Sequence, residues 1–267
     1  MGETKIEYCT KVWSPVTGCT HSGSPGCDHC WAAAMVKRFP PLHGLKLGDT
    51  KWENLPFSEI RFHPHRLDEP LRWRKPQRVF VCSMGDLFHP EVSVTWLESV
   101  LAVITRCPQH TFMILSKRPE RFLLLTEDRL RISRTDTWPI RNLWLGVSVE
   151  NQQTADERIP ILLKTPAAMR FVSVEPMLGP VDLREVSTFG VSSAAGNKLS
   201  DCLNWVICGS ESGPNRRPCS PDWIKSLRDQ CVATGVPFFL KQIEVNGKLV
   251  KMPLIDGRVW DQIPEGR

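Results

Sequence analysis

The chain has 267 residues, 41% of them hydrophobic, and 34 Lys and Arg against 29 Asp and Glu give it a net charge of +5. That length and apolar share suit one large α/β domain with a substantial core, and the mild positive charge permits a phosphate-bearing partner without requiring one. Ten cysteines fall below the density of a disulfide scaffold, and no stretch has the apolar length of a signal core or a membrane span, so a cytoplasmic chain with no membrane partner is expected.

The first apolar segment, Val12-Trp13, leads through Pro15 into a loop at 18–31 that holds Cys19, Cys27 and Cys30 in Cys-x7-Cys-x2-Cys spacing. Glycine, serine and proline surround these thiols, and a helix-prone run at 32–39 follows at once. Such a loop gathers ligands around something compact, and thiolates favour soft metals. Zinc, an iron-sulfur cluster and a redox thiol set are all open on this pattern, and His21 offers a fourth ligand to a Cys3His zinc site. Residues 40–77 have no clean helical or strand period and read as a loop-rich basic insertion. In 61–66 and 71–75 cations alternate with aromatic residues, either a nucleic-acid surface of phosphate contacts and stacking or a solvated basic face over buried Phe and Trp.

From residue 79 the pattern is regular. Short β-branched and aromatic runs at 79–83, 111–116, 143–149, 169–174, 205–209 and 236–241 recur about every thirty residues, the length of one strand-helix-strand crossover. Helical stretches fill most of the gaps: Ser93 caps one, Pro119 opens the next, Thr154 starts a third, and Ser220-Pro221 starts a fourth that Gly235 stops. In the gap before 205, residues 189–200 are small and polar and read as a loop. The expected fold is a full or partial TIM-like (β/α) barrel of about seven strands spanning 1–242, with the Cys-rich loop after the first strand and a C-terminal extension at 243–267. A doubly wound sheet is the alternative architecture.

In either architecture the loops after the strands form the working face. Those loops carry Ser83, Gly85 and Asp86; Ser116, Lys117 and Arg118; Ser148 and Glu150; Glu175; Gly209, Ser210 and Glu211; and Lys241. Capping explains any one of them, but not polar groups at six strand ends in turn. No P-loop, Gly-x-Gly-x-x-Gly turn or Gly-x-Ser-x-Gly elbow is present.

These residues carry a resemblance. A Cys-rich loop after the first strand of a β/α series, with glycine and acidic residues at later strand ends, resembles the radical S-adenosylmethionine superfamily. Closer still, the segments 13–19, 27–32, 83–90, 115–119, 146–151, 173–176 and 238–242 look like the phage-associated three-cysteine-motif family, whose function is unknown. The superfamily resemblance implies that Cys19, Cys27 and Cys30 ligate a [4Fe-4S] cluster whose open iron takes S-adenosylmethionine, and that an electron donor drives cleavage of the sulfonium. It further implies cofactor-binding roles for His29 beside the adenine, for Gly85 with Ser83 and Asp86 at the methionine amino group, and for Ser148 and Glu150 at the ribose. Gly209, Ser210 and Glu211 would support the adenine, and Glu175 joins the set as a rim carboxylate. The seven-residue first gap departs from the superfamily's common Cys-x3-Cys-x2-Cys.

Lys117, Arg118, Arg216 and Arg217 are the expected substrate contacts, and Cys219, a candidate hydrogen donor, and Lys241 are the expected catalytic residues. The basic insertion tilts the substrate toward a nucleotide or nucleic acid. Two functional classes follow: a radical enzyme acting over the barrel mouth, or a zinc-stabilised protein that binds a nucleotide or nucleic acid without redox chemistry.

Overall fold

Runs of Val, Ile, Leu and Phe with no intervening charge bury both faces, and they become parallel strands because each is followed by a crossover long enough to return in the same direction. The computed structural model describes residues 4, 6–44, 46–47, 51–52, 55–125, 138–184 and 199–265. The chain divides into two compact units, one of Met1–Gly23 and Cys27–Leu143, the other of Ser24–Gly26 and Trp144–Arg267.

The first unit begins with β1 (Lys11–Trp13) and β2 (Val16–Thr17), then α1 (Trp31–Arg38). Its irregular stretch holds short 3-10 turns and three two-residue strands, β3 (Lys46–Leu47), β4 (Lys51–Trp52) and β5 (Arg61–Phe62). β6 (Arg78–Val81), α2 (Val94–Thr105) and β7 (Thr111–Ser116) complete it. β1 lies parallel to β6 with Trp13 opposite Val81, and β6 lies parallel to β7 with Phe80 opposite Met113. The insertion is tied to this sheet by buried polar groups: the Trp13 indole donates to the Arg66 carbonyl at 2.8 Å, and Arg66 Nη1 donates to the Ser14 carbonyl at 3.1 Å. Its aromatic residues are used for packing. Phe62 stacks on Trp96 at 5.2 Å and Trp73 tilts against His110 at 5.6 Å.

The second unit runs β8 (Leu143–Val149), α3 (Gln152–Lys164), β9 (Met169–Val174), a single-turn α4 (Leu199–Cys202), β10 (Trp205–Gly209), α5 (Pro221–Thr234) and β11 (Phe238–Val245). β8, β9, β10 and β11 are parallel neighbours in chain order, with a bulge at Cys208/Gly209. β12 (Lys248–Lys251) then folds back antiparallel on β11, and β13 (Leu254–Ile255) pairs with β14 (Arg258–Val259).

The fold is therefore mixed α/β with a mostly parallel sheet of eight strands. The strand order is linear and does not close, so the expected barrel is realised only in part. The antiparallel β12 ends the series, because an Asn246-Gly247 turn with both residues at positive φ reverses the chain after β11. The expected loop at 189–200 falls for the most part outside the described residues.

Helix starts follow side-chain chemistry. Ser93 accepts from Trp96 N at 3.2 Å at the head of α2, and Ser220 precedes Pro221 at the head of α5, which Gly235 ends at φ 75°. At α3 the cap lies earlier than Thr154: Asn151 accepts from Thr154 N at 3.0 Å, and Thr154 Oγ1 accepts from Asn151 N in return at 3.2 Å.

One glycine decides the packing of the second unit. A Cβ on Gly146, in the fully buried β8, would lie 2.5 Å from the Phe171 ring. Gly146→Ala is expected to cost about 1–3 kcal/mol of overpacking, and Phe171→Leu in the same chain to recover part of it. Thermal melting of the single and double variants checks this, and an additive double variant would contradict it.

Candidate functional site

The cysteine loop rises from a buried polar base in the first unit. β2 pairs antiparallel with β5, Val16 opposite Phe62, and places Thr17 between two histidines. His43 Nε2 sits 3.1 Å from the Pro56 carbonyl, to which it donates, so its Nδ1 accepts the Thr17 hydroxyl proton at 2.8 Å. Thr17 Oγ1 in turn accepts from His63 Nε2 at 2.7 Å, which leaves His63 Nδ1 a buried acceptor with no hydrogen-bond partner among the described residues. Burial holds both rings neutral. It drives the His63 pKa down to about 3, helped by Arg66, and lowers that of His43 as well.

The next residue must be glycine. Gly18 has φ 91°, and a Cβ there would meet the Glu59 carbonyl oxygen at 2.1 Å. Gly18 also bridges to Gly85 of the turn after β6, where a Cβ would lie 2.8 Å from the Gly18 carbonyl oxygen. That turn starts at Cys82, a buried residue at φ 57°, and delivers Asp86 beneath the loop.

Asp86 is the anchor. It is almost fully buried, and its carboxylate accepts from the Ser116 hydroxyl at 2.8 Å, Phe88 N at 2.9 Å, Lys117 N at 3.3 Å and Arg118 Nη1 at 3.1 Å. Arg118, 7% exposed, also reaches upward. Its Nη1 donates to Cys19 Sγ at 3.4 Å, and its Nη2 donates to the Thr20 carbonyl at 2.8 Å and the Thr20 hydroxyl at 3.3 Å. His89 adds a third hold. Its Nδ1 accepts from Glu91 N at 3.2 Å, so its Nε2 carries the proton that goes to Thr20 Oγ1 at 2.7 Å. The Cys19-Thr20 edge is thus fixed from below by Asp86, Arg118 and His89. Burial pushes the Cys19 thiol up to about 11, with Asp86 adding to the rise and Arg118 opposing it.

The other edge of the loop is more open. Cys27 Sγ lies 3.3 Å from the Ser22 hydroxyl, Cys27 and Cys30 are half-buried, and His29 is exposed. His21 is not placed as a ligand: its Nε2 donates to Asp28 at 2.9 Å and its Nδ1 accepts from Gly23 N at 3.0 Å. A tetrahedral zinc with Zn–S bonds of about 2.3 Å draws its sulfurs to within about 3.8 Å of one another. Among the described residues no three His, Cys, Asp or Glu side chains converge on a single ion. Three thiols on one loop, one of them held by a guanidinium, are a donor set of the kind that zinc and four-iron clusters both use.

In the second unit the strand-end carboxylates are each paired with a cation. Glu150, with no exposed surface, accepts from Arg158 Nη1 at 3.2 Å, and the same nitrogen donates to the Ser148 carbonyl at 2.6 Å. A ribose contact through the Glu150 carboxylate therefore does not fit its burial; the pair instead fixes the end of β8. Glu175 is ion-paired with Lys241, and Glu211 with Arg217, whose backbone N also donates to it at 3.0 Å. Ser148 Oγ reaches the Glu175 carbonyl at 3.4 Å, and a Cβ on Gly209 would stand 3.6 Å from the Glu175 carboxyl carbon. Ser210 is bound through its backbone to Gln242, and its buried hydroxyl has no hydrogen-bond partner among the described residues.

Of the expected substrate contacts, Arg118 is buried under the loop. Arg216 is held by Glu244 at 2.8 Å and by the Gly213 and Gly247 carbonyls, because it staples the turn between β11 and β12. Arg217 serves Glu211. Lys117 is half-buried and its backbone serves Asp86. Burial raises the Cys208 thiol, with nearby Cys219 and Glu175 adding to the rise; burial pushes Cys219 itself up to about 11, so it stays a protonated thiol at neutral pH. Sequence reasoning passed over Thr17, Thr20, His43 and Arg158. For Arg158 a signal existed, a lone arginine on the apolar face of α3.

The neutral histidine base makes stability pH-dependent. His63 takes up its proton near 6.5 when unfolded and near 3 when folded. The unfolded chain therefore binds more protons between those values, and stability, fully present above pH 6.5, falls by about 1.4 kcal/mol per pH unit below it for this residue. Urea unfolding at pH 7 and pH 5 is expected to show that loss, and His63→Asn a shallower one. Equal pH slopes in the two proteins would contradict it.

Comparison with known proteins gives a family and little else. No curated protein and no solved structure matches the chain. Residues 3–264 match a family described as protein of unknown function (DUF5131). A match over nearly the whole length places this chain in the DUF5131 family.

Proposed function

We propose that the protein is an iron-sulfur enzyme of the radical S-adenosylmethionine type, and that its likeness to the phage-associated three-cysteine-motif family reflects the same chemistry. The observation that carries this reading is the asymmetric thiol loop, with Cys19 held by the buried Arg118-Asp86 pair and Cys27 and Cys30 on an open edge. Cys19, Cys27 and Cys30 would hold the cluster, which when bound supplies one electron for reductive cleavage of S-adenosylmethionine. The chain's own residues do the positioning. Gly85 keeps the turn above β6 close to the loop's base because it lacks a side chain. In the second unit, Gly209 brings bare backbone close to the Glu175 carboxyl, and Glu211, oriented by Arg217, is the acceptor we assign to the ligand.

The zinc-binding alternative is weakened by the engagement of both His21 nitrogens. A nucleotide or nucleic acid remains the proposed substrate class. Phe62 and Trp73 pack against Trp96 and His110 and are half-buried, and the exposed Arg72, Arg74 and Lys75 beside them offer phosphate contact.

Protein prepared without oxygen, given dithionite and S-adenosylmethionine, is expected to release 5′-deoxyadenosine and methionine. Cys19→Ala, Cys27→Ala and Cys30→Ala should each bring this to background, and Glu211→Gln should weaken S-adenosylmethionine binding in equilibrium dialysis. A chain that holds one zinc and yields no 5′-deoxyadenosine would instead support the zinc-binding protein.

A further inference from the structure

Resting on the cluster reading, we propose that Arg118 is a positioning residue for the Cys19 ligand: fixed by Asp86, it holds the Cys19-Thr20 edge in place and offsets the negative charge of a ligated Cys19 thiolate. The geometry gives the guanidinium two faces. One nitrogen is shared between Asp86 Oδ2 at 3.1 Å and Cys19 Sγ at 3.4 Å, and the other grips the Thr20 carbonyl and hydroxyl. Asp86 cannot turn away, since Ser116, Phe88 N and Lys117 N also bind it. Arg118 in turn has its backbone N on the Ser116 hydroxyl at 2.9 Å. A guanidinium this constrained and this buried serves what it touches, and a solvent-borne substrate is not among those contacts.

Chemistry supports the role. A cluster ligated by three thiolates carries negative charge into a half-buried loop, and hydrogen bonds to ligand sulfur and nearby net charge set its reduction potential. Groups that orient a ligand from behind typically change metal affinity 10–100-fold when removed. Arginine suits the task better than lysine, because its planar fork can serve sulfur, carboxylate and carbonyl at once.

The test compares wild type, Arg118→Lys, Arg118→Gln and the double variant Asp86→Asn/Arg118→Gln. The double variant removes both buried charges and so guards against a failure to fold from an orphaned carboxylate. After anaerobic reconstitution with iron and sulfide, iron loss to a chelator and the midpoint potential are measured, with circular dichroism as the check on folding. Faster iron loss, about 10-fold or more, is expected in Arg118→Gln and in the double variant, with a more negative potential in Arg118→Gln and one nearer wild type in the double variant, whose net charge beside Cys19 is unchanged. Arg118→Lys should hold a potential nearer wild type while still losing iron faster, since it keeps the charge but not the fork. A merely structural role would not separate those two readouts. Folded variants with wild-type retention and potential overturn the role of Arg118 alone; wild type that takes up no iron overturns the cluster reading and this role with it.

Discussion

The buried ion pair between Arg118 and Asp86 is the constraint on which the first unit's site depends. Taking two charges out of water is costly, and an isolated buried pair often contributes little net stability. Here the carboxylate has three further donors and the guanidinium three further acceptors, so desolvation is offset by hydrogen bonds on both sides. Breaking it from one side would leave a buried charge uncompensated, typically at about 3–5 kcal/mol. Such an arrangement fixes geometry more than it adds stability. What it fixes is the first thiol of the cysteine loop.

The second unit uses the same physics for a different end. Glu150, Glu175 and Glu211 follow β8, β9 and β10 and each has a cation of its own. The pairs differ in burial. Glu150 and Arg158 are closed off and shape backbone, while Glu175 with Lys241 and Glu211 with Arg217 keep some contact with solvent. A rim of paired carboxylates is less a field of negative charge than a set of oriented acceptors.

Much of the architecture was legible in the sequence, because buried parallel strands need continuous apolar runs and their spacing reports the crossover. Whether the sheet closes into a barrel was not, since nothing in a run of Val and Ile says whether the last strand returns to the first. The cysteine loop was legible from spacing alone. Arg118 was visible as a polar residue after β7 and expected at the substrate, because one sequence does not show that Asp86, 32 positions earlier, lies beneath it. For Phe62 and Trp73 the sequence left stacking on a nucleic acid and packing in the fold both open, and their contacts with Trp96 and His110 favour packing. Thr17, His43 and His63 carry no periodic signal, and only the folded insertion brings them together.

The central claim is that Cys19, Cys27 and Cys30 hold an iron-sulfur cluster, with Arg118 behind the first of them. Its most direct test is iron, sulfide and zinc content, with a visible absorption spectrum, on chain purified without oxygen beside a Cys19/Cys27/Cys30→Ala triple variant. The account expects a brown protein with about four irons and four sulfides per chain, absent from the variant. A colourless protein with about one zinc, lost in the same variant, would contradict it.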